Sequence, residues 1–179
     1  MTNSVHEGGC VCGEVRYKVH AEPSIVVVCH CEWCQRRTGS AFAVIPKFEM
    51  PEFELCSGEL KIYREINEYG RWLDLGFCVN CGTNIGFTQE RRPTSRAIDA
   101  GTFDDPGWIT PSKHEFRYIF TRTNHDWTNI PEGSLCYEGQ LPTNYWAVNS
   151  TEHRSIARGL RMLRNQCLNV CIQGDTASK

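Results

Sequence analysis

Seven of the chain's eleven cysteines fall into three tight groups: Cys10-Val11-Cys12, Cys29-His30-Cys31-Glu32-Trp33-Cys34 and Cys78-Val79-Asn80-Cys81. Two cysteines only two or three positions apart can put both sulfurs on one ion with little chain entropy to lose. Zinc takes four such donors in a tetrahedron, with Zn–S about 2.3 Å. Seven donors are one short of two tetrahedra. The arithmetic is that of one closed site and one site with an open position, and an open position is where a zinc site does chemistry.

The alternative use of cysteine is a disulfide framework, which needs an oxidising compartment. The first residues, Met1 to Glu7, have neither a basic segment nor an apolar one of the kind a secretory signal carries. No apolar run approaches the roughly 18 residues of a membrane span. A cytoplasmic location, without membrane association, is therefore the expectation, and in a reducing compartment this spacing means metal. Burial as small apolar groups suits Cys56, Cys136, Cys167 and Cys171, which stand outside the three groups. Net charge is −2, and residues 1–150 carry 14 basic and 19 acidic side chains, so nothing global draws the chain to nucleic acid.

Patterning predicts a mainly-β domain over residues 1–150. Candidate strands are 14–19, 25–28, 60–66, 71–77, 84–87, 97–100 and 116–120, with one over 41–45 that stops at Pro46. Residues 151–179 read differently. Ile156, Leu160, Leu163, Cys167 and Val170 recur at helical spacing beside a stripe of Arg154, Arg158, Arg161 and Arg164. That predicts a C-terminal amphipathic helix.

Glycine placement sorts the seven cysteines. Gly13 follows Cys12 and Gly82 follows Cys81, as a knuckle needing a positive φ requires. Gln35 follows Cys34 instead. Cys10, Cys12, Cys78 and Cys81 are therefore expected to form the closed site, and Cys29, Cys31 and Cys34 the open one. Three thiolates leave Zn²⁺ a weak Lewis acid, better suited to holding an incoming thiol than to acidifying water. A rival reading closes the second site with another side chain: Cys56 first, then His30 or His114. His30 and Glu32 are candidate proton carriers, although strand alternation turns the His30 ring away from its neighbours. Trp33 and Phe42 are candidate pocket walls or core. Arg36, Arg37, Thr38 and Ser40, read as a turn hinged at Gly39, are candidate substrate contacts, since guanidinium grips carboxylate.

Gly9 to Tyr17, Cys29 to Phe42 and Phe77 to Thr83 resemble the sequence blocks of the glutathione-dependent formaldehyde-activating family, which includes centromere protein V. Looser echoes lie in Ala100 to Pro106, at Trp127, and in Ile130 to Gly133, so the resemblance spans about residues 5–148. It implies a twisted β-tent of mostly antiparallel strands around two zinc ions, partitioned as above. It further implies a small-molecule thiol partner, glutathione, and a carbon–sulfur lyase activity of the S-(hydroxymethyl)glutathione synthase type. A non-catalytic zinc module that binds glutathione or a protein is the alternative.

Overall fold

The computed structural model describes residues 4–67 and 69–142. The expected C-terminal helix lies outside the described residues, as do the last residues of the expected domain 1–150. Among the described residues eleven strands follow in chain order: β1 His6–Gly9, β2 Arg16–Val19, β3 Ile25–Cys29, β4 Ala43–Glu49, β5 Phe53–Ser57, β6 Leu60–Ile66, β7 Trp72–Cys78, β8 Asn84–Gln89, β9 Arg92–Ile98, β10 Phe116–Ile119 and β11 Cys136–Tyr137. The one α-helix among the described residues, α1, spans Glu32–Thr38. The chain is mainly β.

The strands form two sheets. The smaller has the order β1-β2-β5 and the larger β11-β10-β3-β4-β9-β8-β7-β6. Most pairings are antiparallel, as expected, but β10 runs parallel to both β3 and β11. This parallel edge leaves β3 in the interior, where all five of its residues are buried. Burial on both faces is why Ile25-Val26-Val27-Val28 reads as an unbroken apolar run and not as an alternation.

The larger sheet has a core on each face. One cluster joins Val27 and Cys29 of β3 to Ile45, Phe87, Ala97 and Cys34. The other joins Tyr17 and Val19 of β2 to Phe48, Ile85, Ile98 and Cys78. Alternation along β4 and β9 sends Ile45 and Ala97 one way and Phe48 and Ile98 the other. Ile85 and Phe87 have the same parity yet reach opposite faces. A bulge accounts for this: Phe77 pairs with Asn84 and Gly76 with Gly86, so Ile85 is the extra residue.

Two elements depart from the sequence expectation. The strand expected to stop at Pro46 runs through it to Glu49. Val26, opposite Pro46, gives its N–H to Glu115 on the β10 side, and the β4–β9 register begins only at Lys47. No donor is asked of position 46 from either side, so proline fits. The strand expected to reach Ala100 ends at Ile98, and Ala100 opens a 3₁₀ turn.

Phe48 is wholly buried in the second core, whereas Leu55 on edge strand β5 is 41% exposed. Phe48→Ala should lower the unfolding free energy by about 3–5 kcal/mol. Leu55→Ala should stay within about 1 kcal/mol of the parent. Chemical denaturation of both variants checks the contrast.

Candidate metal centres

The sulfurs of Cys10, Cys12, Cys78 and Cys81 all lie within 4.8 Å of one another. Cys10 and Cys12 are 3.4 Å apart, and Cys12 and Cys78 3.8 Å. A tetrahedron with 2.3 Å metal–sulfur bonds has edges of about 3.8 Å, so the cluster can hold a thiophilic ion. Gly13 and Gly82 take φ of 78° and 74°. Their N–H groups return to Cys10 O and Cys78 O, closing the two knuckles and not capping a sulfur. Sulfur is capped instead by the Val15 N–H on Cys10, the Asn80 amide on Cys12 and the Thr83 hydroxyl at Cys81. The Thr83 contacts, hydroxyl first and backbone N–H second, bring the Cys81 thiol down to about 5.

Cys29, Cys31 and Cys34 form the second cluster, also within 4.8 Å. Cys29 ends β3, and the Cys31 sulfur caps α1 by accepting the Cys34 N–H at 3.4 Å. The stretch expected to be a turn hinged at Gly39 is therefore helix, and Gly39 is its C-cap. Hydrogen bonds from Cys29 and then Cys34 hold the Cys31 thiol down at about 3. The same contacts work against its neighbours: Cys29 is pushed up to about 12, with Cys31 as the main cause, and Cys34 well above its ordinary value. Three sulfurs this close cannot all ionise unaided, and a bound cation removes the conflict.

No fourth Cys, His, Asp or Glu atom among the described residues joins this trio. Cys56, the leading rival, is exposed on β5 in the other sheet. His114 is held by Glu22 at 2.8 Å and packs edge-on against Trp108. His30 sits between two cluster cysteines, but alternation places its ring on the opposite face of the sheet, against Phe42 and Tyr118. Burial lowers its basicity there. Its expected part as a proton carrier for this cluster is corrected by that placement.

The trio lines a cavity of about 580 Å³ walled by Trp33, Trp72, Phe87 and Phe120. Five cationic side chains border it (Arg36, Lys47, Arg71, Arg91 and Arg122) against two acidic ones, Glu32 and Glu65. Lys47 is deeply buried, and desolvation, with Arg92 and Arg91 nearby, lowers its ammonium to about 8. Glu65 accepts the Trp33 indole N–H at 2.6 Å, fastening α1 to β6. Glu32 and Arg36 form an exposed pair one helical turn apart at the cavity edge.

The other expected substrate contacts lie elsewhere. Arg37, Thr38 and Ser40 border a larger cavity, about 810 Å³, together with Phe42 and Asp99. It holds none of the cluster cysteines, so size does not mark the chemistry. Arg37 is 4% exposed and donates two hydrogen bonds to Asp99, one of 2.7 Å. Its guanidinium lies 5.4 Å from the Trp33 ring centre and 5.3 Å from that of Phe87. The carboxylate it was expected to grip is the protein's own. Thr38 donates its hydroxyl to Cys34 O at 2.8 Å. Lys47, Arg71, Arg91 and Arg122 escaped sequence reading because they come from separate segments. Lys47 alone left a trace, as a charge inside the apolar run Ala43 to Phe48.

Arg37→Met should cost about 3 kcal/mol by leaving the partly buried Asp99 carboxylate unpaired. The double variant R37M/D99L should cost less than the single one. Urea unfolding of the pair checks this structural role.

No curated protein matches the chain. A crystal structure of a Rhodobacter sphaeroides protein aligns over 62% of this chain and 98% of its own, with a TM-score of 0.44 and 17% identity. The family model for the glutathione-dependent formaldehyde-activating enzyme matches residues 5–119, which include both cysteine clusters. The chain belongs to the glutathione-dependent formaldehyde-activating enzyme family.

Proposed function

We propose that the chain is a zinc-dependent carbon–sulfur lyase of the S-(hydroxymethyl)glutathione synthase type. It holds one structural zinc on Cys10, Cys12, Cys78 and Cys81, and one reactive zinc on Cys29, Cys31 and Cys34. The observation that carries the reading is the second trio: three sulfurs with no fourth donor beside them among the described residues, opening into a cationic cavity. Zinc held there supplies a coordination position that keeps an incoming thiol deprotonated at neutral pH.

The chain's own residues supply the rest. Glutathione carries two carboxylates, and Arg36, Arg71, Arg91, Arg122 and Lys47 offer charge-assisted hydrogen bonds to them. The aromatic walls exclude water from the reacting sulfur. Glu32, at the cavity edge and solvated, takes the thiol proton and passes it to water. The sulfur pair then forms the new bond to the formaldehyde carbon while the C=O π pair moves to oxygen. That oxygen takes up one proton, so the sum is thiol plus aldehyde to hydroxymethyl thioether. Orientation in the cavity is the main source of rate. A reducing, cytoplasmic setting would keep the seven clustered cysteines available as metal ligands.

Metal analysis should find two zinc ions per chain. Cys34→Ser should lose one and remain folded; Cys78→Ser should lose the other together with most of the fold, since structural zinc binding is worth about 10 kcal/mol or more. Cys56→Ala should keep both. Exchange NMR on glutathione plus formaldehyde should show acceleration by the parent and none by Cys34→Ser. A fully loaded parent that binds glutathione without accelerating exchange would reject the synthase reading in favour of a carrier.

A further inference from the structure

Strand β6 is an edge of the larger sheet. Among the described residues it pairs with β7 alone, through seven consecutive partners from Leu60↔Cys78 to Ile66↔Trp72 without a register shift. Ile62 is 53% exposed, Tyr63 57% and Ile66 60%. This seven-residue edge alternates exposed apolar side chains with Lys61, Arg64 and Glu65, so it offers both backbone groups and charges to a second strand.

The direction of its free backbone groups can be worked out. Trp72 accepts the Glu90 N–H, and Cys78 gives its N–H to Thr83 O, so both turn their backbone groups away from β6. With period two, Asp74 and Gly76 do the same. Their partners Leu60, Ile62, Arg64 and Ile66 therefore point N–H and C=O outward from the sheet.

We infer that β6 pairs antiparallel with β6 of a second copy of this chain, with Tyr63 on the two-fold axis, joining the two large sheets into one. This register sets Ile62 opposite Arg64 and Leu60 opposite Ile66. All four have outward-facing backbone groups, so each pair exchanges two hydrogen bonds. It also sets Lys61 opposite Glu65, twice by symmetry, in the closer non-hydrogen-bonded positions where cross-strand charges meet. Glu65 takes the Trp33 N–H on Oε2, which leaves Oε1 to accept from the partner's lysine. Sliding the partner by two residues sets Arg64 against Arg64 in one direction and Lys61 against Tyr63 in the other. Charge complementarity selects the central register, and a self-complementary strip is what a two-fold interface requires. Glu65 and Ile66 also border the thiol cavity, so the partner's strand runs beside its mouth.

Sedimentation velocity on the zinc-loaded full chain, over rising concentration, should show a species of twice the 20.4 kDa chain mass. Ile62→Pro removes an N–H that faces outward, so the β6–β7 ladder loses nothing while the edge pairing is blocked. Lys61→Glu sets like charges opposite one another and should weaken the dimer about tenfold with the unfolding midpoint unchanged. Single-chain mass at every concentration up to the millimolar range would overturn the inference, whether the edge is covered by residues 143–179 or by another protein. A dimer that both variants leave intact would overturn it as well.

Discussion

Four cysteine sulfurs lie within 4.8 Å of one another, close enough to share one cation, and both sheets converge on them. Cys10 and Cys12 follow the N-terminal strand, whereas Cys78 closes β7 and Cys81 lies in the knuckle beyond it. An ion held by all four would tie the small sheet to the large one where Tyr17, Val19 and Phe103 close over the second core. Further ties run beside it. The Tyr17 hydroxyl meets that of Thr102 at 2.8 Å, and Arg16 pairs with Asp104. The hydrophobic layer and the cysteine cluster thus meet at the same interface.

The large sheet then acts as a partition. Its two faces carry separate cores, separate cysteine clusters and separate cavities. The Ile85 bulge lets one strand contribute to both sides. Arg37 sits at the boundary, paired with Asp99 toward one cavity and set between the rings of Trp33 and Phe87, which border the other. A residue expected to bind substrate is instead part of the wall.

What sequence revealed follows from locality. The cysteine clusters were legible because their members come in pairs and triplets, with Gly13 and Gly82 marking the knuckles. The mainly-β class was legible from alternation and turn residues. Helix α1 was not, because seven residues are too few for a periodic signal and its cap is a cysteine, Cys31, in place of the usual Ser, Thr, Asp or Asn. Pro46 misled because its tolerance depends on which neighbour each backbone group faces. The cations of the thiol cavity come from positions 36, 47, 71, 91 and 122, which only the tertiary fold assembles.

The two hollows differ in electrostatic character as well as in place. One has a surplus of positive side chains around its sulfurs; the other holds a single ion pair that cancels itself, amid apolar walls. A small anion diffusing over this molecule is drawn to the smaller, cation-rimmed cavity, while a neutral, greasy visitor gains nothing from that field. Polarity, and not roominess, sorts the traffic between them.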